Sequence, residues 1–518
     1  MSELLERAKA EAGKYGKIIG MVSRSSPSSV SSESGVVPLE VPFSNYVKER
    51  IRIGTFLAVY ALVSNSLVLG RVVSLEREDV LSMAKVPAVE PPEDPSTVET
   101  PLRVKLELIS EMRDDVVTSP LSPVDPQSPV LIPDPGLVSK MLSLPSQGIV
   151  LGNLYSGEET SIQVRFPEHL LDRHVVVVGT TGSGKTTFLR HLLTELKGRA
   201  FILDLQGDYV GVKKDKAVLL PVTQALSSYL QKNDLTETEF VRARYLQECK
   251  AGELITCQDF AVRVVPFSLS LKQEIGELHR IFPFFSEQAS LFWPVLGPKL
   301  SGSTLKGYGP DAGLWKSIDT LARKYNLAPQ TTNNIHRVLL LLSESGMFDE
   351  ERGEPPWKEV FMEDTVVVDL RSALEFSQTP IAYSSVAYLV IHRVFQQHNL
   401  AYGVEDLGRT TIFVDEAHEY FPSSGVTDRE ALESLINRVM RLGRVRRLGF
   451  VMATHKPEDL NDLVLTLANT RVVFRTSQEV LERMGLKKYS SVMKMAPPGL
   501  ALVSSYDLNE VFLKVPGP

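Results

Sequence analysis

Two short stretches carry residue types that act together on a nucleotide. The first, RHVVVVGTTGSGKTTF, sets Gly179, Thr180, Thr181, Gly182, Ser183, Gly184, Lys185 and Thr186 at the spacing of a phosphate-binding loop, with Thr187 following. Such glycines let successive backbone N–H groups turn toward phosphate oxygens at a helix N-terminus. Lys185 would add a positive charge at the β- and γ-phosphates and Thr186 a hydroxyl to Mg²⁺. The second, TTIFVDEAHEYF, ends an apolar run in Asp415 and Glu416. There Asp415 would hold Mg²⁺ and Glu416 would orient and deprotonate an attacking water. A strand ending in Asp-Glu is weak evidence alone, and Glu416 could be a plain surface carboxylate. Paired with the glycine-rich loop it predicts one site for ATP and Mg²⁺.

The flanking elements must bring the two stretches together. HVVVVGT, AFILDL, DTVVVDL, TIFVDEA, GFVMATH and TRVVFRT are short, nearly continuous apolar runs alternating with helical periodicity. Strands covered on both faces read this way, which predicts an α/β fold, a RecA-like P-loop NTPase core with a parallel sheet. The core should occupy residues 167–221 and 361–490. Between them, 222–360 reads as a helical insertion, with RVVPFSL as its one strand-like run. Residues 1–166 differ: β-branched runs such as KIIGMV, RIRIGTFLAVYALV and SLVLGRVVSL, separated by turn-formers, predict a β-barrel or sandwich. Its loops include the serine-rich SRSSPSSVSSES and the proline-rich VPAVEPPEDPSTVETP. TSPLSPVDPQSPVLIPDP, with six prolines, reads as an extended connector without strand or helix. Residues 491–518 read as a turn, a strand and a C-terminal strap, which could brace a neighbour or close its own sheet.

Composition sets further bounds. With 518 residues, two to four structural units are expected. A net charge of −7 provides no global basic field, so contact with nucleic acid would have to be local. Cys249 and Cys257, with no matching Cys or His pair, indicate neither a disulfide framework nor a zinc site. The N-terminus lacks a signal-peptide core and the most apolar run is too short to span a bilayer, so a cytoplasmic protein without a membrane anchor is expected.

The letters DEAH at 415–418 raise the helicases named for that box. Glu416 follows Lys185 by 231 residues and 102 residues come after it, which leaves no room for the second RecA-like domain those enzymes need. An arginine to neutralise the γ-phosphate must then come from the same domain or a neighbouring subunit. Arg438, Arg441, Arg444, Arg446 and Arg447 crowd the segment INRVMRLGRVRRLGFVMATHKP, although a charged helix face is usually only solvated surface.

Together, LLDRHVVVVGTTGSGKTTF, FILDLQGDY, TIFVDEAHEY and RLGRVRRLGFVMATHKP resemble the HerA family of archaeal DNA-translocating ATPases, within the HerA–FtsK superfamily. The resemblance implies an N-terminal HAS-barrel-like domain, a homohexameric ring, translocation of double-stranded DNA, and work with the nuclease NurA in end resection and double-strand break repair. It implies that Arg173 acts on a neighbouring subunit's nucleotide, that Arg441 or Arg444 contacts the γ-phosphate, and that Asp204 belongs to the nucleotide site. His455 would hydrogen-bond phosphate or relay the nucleotide state. The family usually has His at the place of Gln206 and Gln at the place of His455. Two other readings stay open: a DNA-packaging or conjugation-type ATPase, and a nucleotide-gated scaffold that recruits a nuclease.

Overall fold

The computed structural model describes residues 2–31, 35–77, 100–300, 302–377, 379–423, 429–506 and 508–517. The proline-rich loop 86–101 lies outside the described residues except for Thr100 and Pro101, and so do positions 32–34 of the serine-rich loop. The chain divides into two compact units, Met1–Phe166 with Val503–Val515, and Pro167–Leu502 with Pro516–Pro518.

The N-terminal unit contains a closed barrel of six antiparallel strands. Gly35–Val41 pairs with Gly16–Val22, and the circuit runs on through Pro129–Pro133, Phe56–Ala61, Ser66–Glu76 and Leu102–Arg113 back to Gly35–Val41. Alternation explains the closure. Along Gly35–Val41 every second residue is buried, and Val37, Leu39 and Val41 point into a core shared with Leu57, Val59, Val104 and Leu106.

One barrel strand corrects the reading of the sequence. Pro129–Pro133 belongs to the stretch read as a connector, yet it sits between Gly16–Val22 and Phe56–Ala61 with Val130 and Leu131 fully buried. The prolines cost little because they occupy the two ends of the strand and leave the N–H groups between them for the ladder.

The second unit is built on eight parallel strands. Their order is Thr470–Val473, Val175–Val178, Leu448–Thr454, Thr410–Val414, Arg199–Asp204, Thr365–Asp369, Lys216–Pro221 and Ala261–Phe267. Their residues are almost all buried, as a sheet covered on both faces requires. The α/β, P-loop type of core expected from the apolar runs is therefore present. The segment 222–360 is not purely helical: besides helices such as Glu237–Tyr245, Gly313–Lys324 and Pro329–Glu344, it contributes Ala261–Phe267 to the core sheet. The pattern was hard to see because Arg263 and Pro266 interrupt the apolar run.

One further expectation changes, and one of two open readings is selected. Cys249 and Cys257 are bonded to each other, with Cα atoms 4.6 Å apart, because the bridge between Lys250 and Thr256 folds the intervening loop back on itself. The tail forms two strands, Leu500–Ser505 and Leu508–Lys514, so it closes sheet within its own chain. No helix among the described residues is long and apolar enough to cross a membrane.

Leu131→Ala should destabilise the N-terminal unit by about 3 kcal/mol, since it empties volume around a fully buried side chain. Val63, which is 79% exposed, should tolerate the same change to within about 0.5 kcal/mol. Denaturant unfolding followed on both variants checks the contrast.

Candidate nucleotide site

Parallel strands present all their C-terminal ends along one edge, and this collects residues far apart in the chain. The phosphate-binding loop leaves Val175–Val178. Its neighbour in the sheet is Leu448–Thr454, and beyond that lies Thr410–Val414. Thr454 and His455 therefore emerge between the loop on one side and Asp415–Glu416 on the other.

The loop enters the helix Lys185–Glu195 through Gly184 at φ 115°, after Gly182 at φ 73°, conformations that favour glycine. Gly179 is needed for a different reason: a Cβ there would come within 2.7 Å of Phe474 Cβ and of Ser183 Oγ. The loop is tied down by Thr180 N–H donating to Arg475 O (2.9 Å) and Gly499 N–H donating to Ser183 O (2.9 Å). Lys185 Nζ folds back to donate to Gly179 O at 2.8 Å and Thr180 O at 3.2 Å. Burial lowers its pKa, opposed by the charges of Glu416 and Asp415. Ser183 Oγ is buried without a partner, and Thr181 and Gly182 are exposed at the tip.

Across the edge, Thr186 Oγ1 donates to Asp415 Oδ2 at 3.3 Å, and Tyr209 O–H donates to the same oxygen at 2.8 Å. Burial raises the Asp415 pKa, and the neighbouring Glu416 charge adds to this; the Tyr209 bond works against it by stabilising the carboxylate. A hydroxyl and a carboxylate converging beside an unpartnered serine and a folded-back lysine fit a hard divalent cation carried by a phosphate chain.

Glu416 takes a left-handed conformation, φ 53° and ψ 51°, unusual for a non-glycine residue and costing of order 1–2 kcal/mol. Two residues hold its carboxylate. Gln206 Nε2 donates to Oε1 at 3.3 Å, and His455 Nδ1 lies 2.8 Å from Oε2. The structure puts both on the same side chain, one per oxygen. His418 is also close, with Nδ1 3.6 Å from Glu416 Oε2 and 3.1 Å from Thr454 Oγ1, and its ring stands edge-on to His455.

Other expected site residues lie elsewhere. Asp204 does not face the phosphate loop: Oδ1 accepts from Gly207 N–H and Asp208 N–H, and Oδ2 from Tyr209 N–H. Burial pushes its pKa up to about 7 against those three bonds. Its part is to shape the turn that aims Tyr209 at Asp415. Arg173 precedes Val175–Val178, at the opposite end of that strand from the loop, about 13 Å of strand away. Arg441 and Arg444 precede Leu448–Thr454 at the same end. His174 joins these pieces: its Nε2 lies 2.9 Å from Met440 O, Phe450 N–H donates to its Nδ1, and the Arg444 charge helps depress its pKa. Arg441 and Arg444 are exposed and make no hydrogen bond or ion pair among the described residues. Arg438 is turned inward and donates to Arg280 O.

Tyr209, Gln206 and His418 were missed as site residues. The first two belong to LQGDY, just past the strand Arg199–Asp204; that place is the only signal Tyr209 carries, and Gln206 was noted only for its residue type against the resembled family.

Tyr209→Phe should let Asp415 protonate at higher pH. The acid limb of nucleotide turnover should then move to higher pH, with little change above neutrality. Superimposable pH–rate profiles of wild type and variant would contradict the assigned bond.

Comparison with known proteins follows this geometry. The family model "Helicase HerA, central domain" matches residues 149–263, which include the phosphate loop. "Helicase HerA-like C-terminal" matches 316–497, which include Asp415, Glu416 and His455. A Methanocaldococcus jannaschii protein named "Probable helicase MJECL08" is 20% identical over 485 residues, 89% of this chain and 88% of the relative. Among solved structures, VirB4 of Thermoanaerobacter pseudethanolicus is 13% identical, with a TM-score of 0.44, over 72% of this chain and 97% of that one. The plasmid coupling protein TrwB with the ATP analogue ADPNP is 15% identical, with a TM-score of 0.47, over 74% of this chain and 92% of that one. The two family models lie in order along the chain and together match more than half of it, so this chain belongs to the HerA family of helicase-type ATPases.

Proposed function

We propose that this ATPase moves double-stranded DNA through a homohexameric ring whose nucleotide sites are completed by neighbouring chains, in partnership with a NurA-type nuclease at DNA ends. The observation that carries the reading is the separation of charges. Lys185, Asp415 and Glu416 stand at one edge of the parallel sheet, whereas Arg173, Arg441 and Arg444 stand at the other. An arginine cannot cover a strand's length to its own chain's γ-phosphate. In a head-to-tail ring it meets the phosphate of the next chain, and such contacts close by rotation.

The residues divide the work. Lys185 exchanges its two loop carbonyls for phosphate oxygens, and Thr186 with Asp415 would hold Mg²⁺, which offsets charge across the β- and γ-phosphates. Glu416, held between Gln206 and His455, accepts the proton of the attacking water. An arginine of the neighbour stabilises the charge that develops on the γ-phosphate. The N-terminal barrel is the docking surface we assign to the nuclease. With a net charge of −7, contact with DNA phosphates has to be confined to the lining of the ring.

Glu416→Gln should cut ATP turnover by about 100-fold or more while leaving ATP binding intact; turnover at the wild-type rate would remove Glu416 as the base. Mixing inactive Arg173→Ala with inactive Lys185→Ala chains should restore part of the activity, because some sites would then pair an intact loop with an intact arginine. No recovery at any ratio, with subunit exchange shown by labelled chains, would count against shared sites.

A further inference from the structure

One group of side chains at the sheet edge has more donor chemistry than ATP hydrolysis uses. Glu416, His418 and His455 each present a metal-ligating atom, and these atoms all lie within 4.8 Å of one another. We propose that the three form a binding site for a borderline transition-metal ion of the Zn²⁺ or Co²⁺ kind, distinct from the Mg²⁺ position at Thr186 and Asp415. We further propose that filling it withdraws Glu416 from water activation.

Geometry supports the ligand set. Tetrahedral bonds of about 2.0–2.1 Å place neighbouring ligand atoms about 3.3 Å apart. Here His455 Nδ1 is 2.8 Å and His418 Nδ1 is 3.6 Å from Glu416 Oε2, one on each side of that value. The ligands also come from rigid places. Glu416 and His418 flank Ala417 at the start of the short turn Ala417–Glu419, and His455 ends the adjacent parallel strand, whose register with Thr410–Val414 fixes their approach. Three protein ligands leave a fourth position open to water, as metal sites with exchangeable ligands do.

The environment also suits the ion. Glu419 Oε1 lies 3.4 Å from His418 Nε2, so the Nε2–H faces a carboxylate and the Nδ1 lone pair faces Glu416. A carboxylate behind a ligating histidine is the usual outer support of such centres. Thr454 Oγ1 lies 3.1 Å from the same His418 Nδ1, and a bound ion would take its place there. Burial lowers the His418 pKa and keeps the imidazole neutral, the form that ligates. Two nitrogen donors select against Mg²⁺, which prefers oxygen in octahedral array. Binding would replace the proton between His455 and Glu416 and occupy the oxygen from which the base acts.

The test is a Co²⁺ titration of the full-length protein in excess Mg²⁺ without nucleotide, followed by visible absorption. It needs no turnover and no DNA, so it can fail while the proposed motor stands, and the reverse. Wild type should develop the intense bands of a four- or five-coordinate ion, and Zn²⁺ should displace them. His455→Gln and His418→Asn should each weaken binding at least about tenfold, whereas Thr186→Ala should keep the bands. Binding of an ATP analogue checks that the histidine variants are folded. Equal Co²⁺ isotherms in wild type and both histidine variants, or bands lost only in Thr186→Ala, would overturn the site. In turnover assays at saturating Mg²⁺, Zn²⁺ should inhibit wild type more strongly than His455→Gln, each relative to its own rate without Zn²⁺. Equal inhibition would overturn the effect on Glu416.

Discussion

Everything functional here depends on the parallel register of three strands. Val175–Val178 pairs with Leu448–Thr454 from Val175↔Val451 to Val178↔Thr454, and Val414 pairs with Met452 in the next ladder. A slip of one residue in either ladder would turn every side chain on that strand to the other face. The fully buried valines and threonines on both faces of these strands make such a slip costly, so the sheet itself holds the phosphate loop, His455 and Glu416 in one line.

From that line follows a set of contacts among the site residues. Lys185 is satisfied by its own loop, Asp415 by Thr186 and Tyr209, and Glu416 by Gln206 and His455. In the proposed mechanism Lys185 would exchange its loop carbonyls for phosphate oxygens, while Gln206 and His455 would keep Glu416 in place. The contacts of Tyr209 with Asp415 and of His455 with Glu416 are the short ones at 2.8 Å, and those of Thr186 and Gln206 are longer at 3.3 Å. In the proposed mechanism His455, which follows the middle strand and contacts Glu416, would be the point at which a change at the γ-phosphate reaches the sheet.

Much of this was legible in the sequence, for reasons that can be named. The glycine-rich loop and the strand before Asp415 are local patterns, and the apolar runs of the core are long and continuous. The barrel strand Pro129–Pro133 was hidden because proline content was weighed without its position at the strand ends. Ala261–Phe267 was faint because Arg263 and Pro266 break its apolar run. The second layer of the site was not legible at all. Gln206, Tyr209 and His418 become meaningful only through a neighbouring strand's Glu416, Asp415 or Thr454, and no spacing along the chain encodes that. Asp204 misled for a related reason: a carboxylate at a strand end beside a nucleotide site looks functional until its three backbone donors are counted.

The central claim is that one chain does not complete its own nucleotide site. Imaging the assembled protein with a bound ATP analogue tests it most directly. The account predicts a closed ring in which Arg173, Arg441 or Arg444 of one chain lies within hydrogen-bond distance of the γ-phosphate held by Lys185 of the next. A ring in which all three arginines stay clear of every nucleotide, with the γ-phosphate enclosed by residues of a single chain, would contradict it.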